Sequence, residues 1–155
     1  MTEDLEQLTA INPADIRFAA MDLLSRREHS LRELRQKLTR RFGDEDLIEH
    51  ELQRLVDENL QSDKRFAESF LRQRISRGHG PVRIRQEMRQ RGMSDSQIDA
   101  ALQEEDPNWY DLAQETYRRK YGELSPEDIR EKAKRSRFMQ YRGFGLEYFR
   151  ECIQS

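Results

Sequence analysis

Residues 62–93 decide the fold and read SDKRFAESFLRQRISRGHGPVRIRQEMRQRGM. After Ser62, apolar side chains recur at three- and four-residue spacing, which is typical of one face of an α-helix rather than of a strand. The glycines of Gly78-His79-Gly80 end this helix because glycine tolerates the left-handed conformations found there, and Pro81 begins the next helix at its first position. The sequence therefore predicts two helices joined at a fixed corner.

Positive charge is concentrated around this corner. From residue 64 to residue 91 the chain carries nine basic residues against two acidic ones, a net charge of +7. Arg85 and Arg89 lie one turn apart on the exposed side of the second helix, a like-charge spacing that destabilises an isolated helix by about 0.2–0.5 kcal/mol. Each arginine alone is explained by solubility, but the cluster favours an anionic partner.

Arg74 differs from the other arginines because it projects into the apolar stripe of the first helix. We expect its side chain to be at least partly buried and paired with an acidic residue of a neighbouring helix, such as those of residues 44–59. Breaking a buried ion pair typically costs about 3–5 kcal/mol.

The same pattern occurs 50 residues earlier in the chain. The matching pairs are Leu34 with Ile84, Leu38 with Met88, Ile48 with Ile98 and Leu52 with Leu102. A gapless period of this length indicates a repeated three-helix unit. A weaker third copy follows residue 106. The sequence predicts an all-α fold, an elongated array of about nine helices in three tandem three-helix repeats.

The predicted boundaries follow from helix caps. Residues 1–11 form a flexible lead-in, and the three repeats cover residues 12–60, 61–105 and 106–155. The predicted helix starts are Asn12-Pro13, Ser30 with Glu33, Asp44, Ser62, Pro81, Ser94 with Gln97, Asp106-Pro107 and Ser125-Pro126.

Composition excludes several classes of protein. The 155 residues are 35% hydrophobic and 37% charged, with a net charge of −2. No apolar stretch approaches the roughly 18 residues of a membrane span, and the acidic amino terminus is unlike a signal peptide. A single cysteine fits a reducing compartment. We expect a monomer in the cytoplasm with no membrane contact.

Catalytic and metal-binding patterns are missing from the sequence. His29, His50 and His79 are scattered, and Cys152 is too isolated for a tetrahedral zinc site. No phosphate-binding loop or paired catalytic carboxylates occur. We therefore predict no metal, no cofactor and no enzymatic activity. His79, between two glycines, is expected to be an exposed residue that fills the turn.

The central stretch resembles a known family. It contains D-x-x-F-A-x-x-F from Asp63 to Phe70 and G-P-x-x-I-x-x-x-M-x-x-x-G from Gly80 to Gly92, which is similar to the central motif of the RecX family, bacterial regulators of the RecA recombinase. The resemblance extends from about Ile16 to Ile153. The residues assigned to the structural motif are Asp63, Phe66, Phe70, Arg74, Gly80, Pro81, Ile84, Met88 and Gly92.

The resemblance implies an all-helical protein without catalytic activity that binds the RecA–DNA filament. It would modulate, and mostly inhibit, the recombinase, ATPase and coprotease activities of RecA in DNA repair and the SOS response. The alternative is a helical protein that binds single- or double-stranded nucleic acid directly, with single-stranded DNA as a partner. The residues predicted to bind the partner or DNA are Arg35, Arg72, Arg77, Arg83, Arg85, Arg89, Arg91 and Lys134.

Overall fold

The computed structural model describes residues 10–154. The predicted lead-in, residues 1–11, lies mostly outside this range. Ile11 lies within it and packs, partly buried, against the first hydrophobic core.

Residues 10–154 form α-helices, one short 3-10 helix and no strand, in agreement with the predicted all-α fold. The nine α-helices of this range are α1 (Pro13–Arg26), α2 (Leu31–Phe42), α3 (Glu45–Asp57), α4 (Asp63–Ser76), α5 (Pro81–Gln90), α6 (Asp95–Glu105), α7 (Trp109–Tyr121), α8 (Ile129–Tyr141) and α9 (Arg150–Gln154). The 3-10 helix spans Leu146–Tyr148. The chain divides into two compact units, residues 1–66 and 67–155.

The first unit contains α1, α2 and α3 packed around one apolar core. Ile16, Leu34 and Ile48 are fully buried there, one from each helix. These are inward positions of the three amphipathic helices, so the 3.6-residue periodicity located this core correctly. Burying a side chain of this size stabilises the fold by about 1.5–3 kcal/mol.

The second unit contains the apolar face of α4, the helices α5 and α6, and the helices that follow residue 106. Leu71, Ile84 and Met88 are fully buried. A further core cluster forms among the last helices from Ala113, Tyr117, Met139, Phe144 and Phe149.

Helix caps in the first two repeats lie where the sequence predicted them. Asn12 and Asp44 cap α1 and α3, and Ser30 with Glu33 and Ser94 with Gln97 form complete capping boxes. Each cap satisfies backbone N–H groups that have no partner inside the helix.

Both predicted caps in the third repeat are wrong. Asp106 has φ +45° and closes α6, and the side chain of Asn108 caps α7 by accepting from the backbone N–H of Asp111 at 3.0 Å. Asp128, not Ser125-Pro126, caps α8. In both cases proline precedes the true cap by one or two positions. Gly145 precedes the 3-10 helix without a capping side chain, and the α-helix that follows spans Arg150–Gln154.

Candidate functional site

The corner between α4 and α5 is formed by two glycines with different roles. Gly78 has φ +78°, a left-handed conformation that ends α4 as the sequence predicted. Gly80 has φ −89° and ψ 173°, which any residue can adopt, so the backbone angles at this position do not require glycine. Pro81 is the first residue of α5, as predicted.

Gly80 is required because the backbone of the third repeat touches it. Its N–H donates to the carbonyl oxygen of Arg142 at 2.7 Å, and the N–H of Val82 donates to that of Gly143 at 3.1 Å. A Cβ atom at Gly80 would lie 2.4 Å from the Gly143 oxygen, and one at Gly143 would lie 2.5 Å from the Cβ of Arg83. The corner therefore holds two repeats together as well as orienting two helices.

The other motif residues lie in turns and in the core. Asp63 accepts the backbone N–H of Leu31 at 2.9 Å, so it satisfies a donor in the first turn of α2. Phe66, Phe70, Ile84 and Met88 are each buried. Gly92 has φ +90° in the turn after α5.

Arg74 is buried and paired, but not with the predicted segment. Its Nε donates to Oε2 of Glu87 on α5 at 2.6 Å, its side chain is 14% exposed, and its guanidinium stacks on the Phe70 ring 4.5 Å from the centroid. The prediction of a partner within residues 44–59 was wrong, because the corner brings α5 directly against this part of α4.

Glu87 holds two arginines. Arg83 donates to its other oxygen at 2.9 Å. Burial acts to raise the pKa of Glu87, but hydrogen bonds from Arg83 and Arg74 outweigh it, so the pKa lies below the ordinary value. The carboxylate is therefore ionised and joins α4 to α5.

His79 is buried beside this cluster, with 7% of the residue exposed, so the prediction of an exposed turn residue was wrong. Its Nδ1 has no hydrogen-bond partner and lies 4.0 Å from Oε1 of Glu87. Burial lowers the pKa of His79 to about 4, with a further contribution from Arg83 that Glu87 only partly offsets. The ring is therefore neutral at physiological pH.

Four of the predicted binding arginines, two of them exposed and two half-buried, are paired with carboxylates of the protein. The pairs are Arg35 with Glu49, Arg72 with Glu105 at 3.2 Å, Arg85 with Asp99 at 2.6 Å and Arg89 with Asp95 at 2.9 Å. The first and third pairs occupy equivalent positions of the first two repeats, 50 residues apart. These arginines therefore link helices within a repeat.

The remaining predicted residues occupy different environments. Arg83 and Arg91 stack on the rings of Tyr141 and Phe70, at 5.0 and 4.6 Å from the centroids. Arg77 and Lys134 are exposed, and within residues 10–154 neither side chain forms an ion pair. The eight predicted residues do not converge on one pocket of the second unit.

A basic concavity in the second unit includes only one of them. Its volume is about 270 Å³, and it is lined by Arg77, Gly78, Thr116, Arg119, Lys120, Phe138 and Arg142. Three of its four cations were absent from the predicted binding set. The run Arg118-Arg119-Lys120 was a visible signal, but the sequence does not show that it lies beside Arg77 and Arg142.

The described residues contain no cluster of three or more His, Cys, Asp or Glu side chains able to hold a metal ion. Likewise, none of the helices in the described part of the chain is both long and apolar enough to cross a membrane. Cys152 donates its thiol hydrogen to Oε1 of Gln114 at 3.0 Å, and burial raises its pKa.

Comparison with protein-family models accounts for all three repeats. Residues 17–55 match the first three-helix domain of RecX, residues 62–102 the second and residues 107–153 the third.

Curated relatives agree over most of the chain. Regulatory protein RecX of Pseudomonas putida is 46% identical over 135 residues, covering 87% of this chain and 86% of the relative. Regulatory protein RecX of Pseudomonas fluorescens is 45% identical over 147 residues, covering 95% and 92%.

Two solved structures share the fold. RecX from Lactobacillus salivarius superposes with a TM-score of 0.71 at 24% identity, covering 92% of this chain and 94% of that one. A second structure of regulatory protein RecX gives a TM-score of 0.72 at 28% identity, with coverages of 95% and 77%. Three matched domains in order, together with 46% identity over most of the length, show that the chain belongs to the RecX family of regulatory proteins.

Proposed function

We propose that this protein binds the filament that RecA forms on DNA and modulates, mostly by inhibition, the recombinase, ATPase and coprotease activities of RecA. The match of all three repeats to RecX domains carries this proposal. In this role the protein acts in the cytoplasm as a monomer, without a cofactor and without catalysis of its own.

The exposed arginine pairs support a role in reversible binding. Their side chains are 64%, 35% and 53% exposed at Arg72, Arg85 and Arg89. Surface ion pairs contribute only about 0–1 kcal/mol, so exchanging an internal carboxylate for an anionic group of the filament costs little. The central repeat is the densest part of this surface, with its net charge of +7 over residues 64–91.

The test is inhibition of the ATPase activity of RecA on single-stranded DNA. We expect a folded Arg85→Glu, Arg89→Glu variant to need about tenfold more protein for half inhibition, equivalent to about 1.4 kcal/mol. An Arg26→Glu, Arg40→Glu variant makes the same change of charge at exposed positions outside the predicted set and serves as the control.

Equal inhibition by the two variants would refute the role of the α5 arginines. Failure of the unmodified protein to inhibit or to bind RecA filaments would refute the proposed function itself.

Direct nucleic-acid binding is a second candidate, favoured by the basic concavity of the second unit. Fluorescence anisotropy with naked single-stranded DNA, with RecA alone and with RecA on DNA ranks the three partners. Tight binding to naked DNA with no preference for the filament would favour this second function.

A further inference from the structure

The basic concavity lies where three helices end. Arg77 follows the last residue of α4, Lys120 is in the last turn of α7, and Arg142 follows the last residue of α8. These residues are separated by 43 and 22 positions in the sequence, so only the packing of the second and third repeats brings them together.

Close backbone packing creates the concavity. A Cβ atom at Gly78 would lie 2.9 Å from Oγ1 of Thr116, so the end of α4 lies directly against α7. Nη1 of Arg142 donates to the carbonyl oxygen of Arg77 at 3.0 Å, which holds the end of α8 against the same turn. The spacing of the cations is therefore set by the fold.

The cations of the concavity have little compensation from acidic groups. Across residues 10–154, no carboxylate forms an ion pair with Arg77, Lys120 or Arg142. Arg119 pairs with Glu115 one turn away, but its side chain is 72% exposed. The fold therefore gathers four cations around the concavity, and within the described residues only Arg119 among them has an acidic partner.

Phe138 supports two of these cations with its aromatic ring. The Arg142 guanidinium lies 5.2 Å from its ring centroid and the Lys120 ammonium 5.6 Å, while Tyr121 packs against it edge to face. A nucleobase that approached the ring would compete with these three groups for it. The site therefore presents charge and hydrogen-bond donors rather than a stacking platform.

We propose that this concavity binds phosphate groups of a single-stranded DNA backbone. This proposal rests on the proposed function, because it names the surface of the protein that would contact the DNA of the RecA filament. Guanidinium groups donate in a fork that matches phosphate oxygens, and consecutive phosphates follow one another closely along a strand.

The surroundings of the concavity disfavour a duplex. The groove between α4 and α7 continues from Gly78 and Thr116 past Glu115 towards Asp111 and Glu105. Glu115 and Glu105 are paired with Arg119 and Arg72, so the groove beyond the basic end carries no excess of positive charge for a second backbone. A flexible single strand can contact the basic end and leave the groove.

A structural role for the same cations makes a different prediction. Positive side chains at helix C-termini offset the helix dipole and contribute about 0.3–1 kcal/mol each. If this were their whole role, their removal would lower the melting temperature and leave DNA binding unchanged. Stability and binding must therefore be measured on the same variants.

The experiment measures binding of the full chain to a fluorescein-labelled 20-nucleotide oligothymidylate over a salt series. The test variant is Arg77→Gln, Lys120→Gln. The control is Arg26→Gln, Arg40→Gln, which removes the same charge at exposed positions outside the predicted binding set. On single strands each lost phosphate contact reduces the slope of log K against log salt by about 0.7. The test variant lacks two such contacts, so we expect its slope to be smaller by about 1.4. When salt is raised from 50 to 200 mM, the affinity of the unmodified protein should therefore fall about sevenfold further than that of the test variant.

Three outcomes would overturn the proposal. The first is an equal salt slope for the test variant and the unmodified protein. The second is an equal loss of slope in the test and control variants. The third is that polyglutamate displaces the labelled oligonucleotide at the same charge concentration as unlabelled oligothymidylate does. RecA inhibition by the unmodified protein is measured in parallel. If the unmodified protein inhibits RecA and any of these three outcomes is found, only the phosphate site is refuted. If the unmodified protein does not inhibit RecA, the proposed function is refuted.

Discussion

At the scale of single residues, Gly80 shows that a motif position can be predicted without its physical reason. The sequence indicated a glycine needed for a turn, but the residue has an ordinary extended backbone. Its requirement comes from the third repeat, whose carbonyl oxygen at Gly143 occupies the space of a side chain. A contact between residues 63 positions apart leaves no periodic trace in the sequence.

We expect Gly80→Ala to lower the free energy of unfolding by about 1–3 kcal/mol, because the added methyl group would displace backbone. Gly145→Ala is the matched control. Gly145 also has a negative φ, and the three atoms nearest to a Cβ there belong to the end of the flexible Glu147 side chain. Urea unfolding measures both variants, and equal stability would contradict the tight contact at Gly80.

His79 gives the protein a stability that depends on pH. Its pKa of about 4 in the fold lies below the value of 6.5 expected in the unfolded chain. The unfolded chain therefore binds the proton more readily, so the contribution of His79 is fully present above about pH 6.5 and is lost as the pH falls to about 4. We expect a plot of unfolding free energy against pH to fall less steeply in this window for His79→Gln than for the unmodified protein. Parallel curves would refute this origin of the acid sensitivity.

At the scale of helices, caps were predicted well wherever a serine, asparagine or aspartate directly precedes an amphipathic run. In the third repeat, prolines at 107 and 126 drew the predicted starts too early. Proline favours a helix start, but the side-chain oxygen that accepts from the third helical N–H decides the boundary. Asn108 and Asp128 supply that oxygen.

The cap of α8 can be tested with neighbouring substitutions. Asp128 accepts the backbone N–H of Glu131 at 2.8 Å, so we expect Asp128→Ala to cost about 0.5–2 kcal/mol of stability. Ser125→Ala removes the residue that the sequence favoured as a cap, and it should change stability by less than about 0.5 kcal/mol. Thermal unfolding of both variants compares the assignments, and a larger loss at Ser125 would restore the sequence-based one.

At the scale of the whole molecule, the repeated pattern was predictable because each repeat buries equivalent apolar positions. The 50-residue register predicted the buried Leu34, Ile84, Ile48 and Ile98 correctly. Electrostatic partners were not predictable in the same way. A long basic side chain can reach several helices. Only the tertiary structure therefore shows that Glu87 is the partner of Arg74 and that Arg77, Lys120 and Arg142 converge.

The hydrogen bonds from Gly80 and Val82 to residues 142 and 143 show that a sequence repeat of this protein is not the same as a folding unit. The sequence repeats as units of three helices, yet the second compact unit, residues 67–155, holds two of these repeats. A chain that stopped at the end of α6 would keep a complete repeat in sequence while losing the carbonyl oxygens of Arg142 and Gly143 that accept from these two backbone donors. The segment that was duplicated is therefore smaller than the segment that folds, and any shortened form of this protein has to keep or lose its last two repeats as a pair.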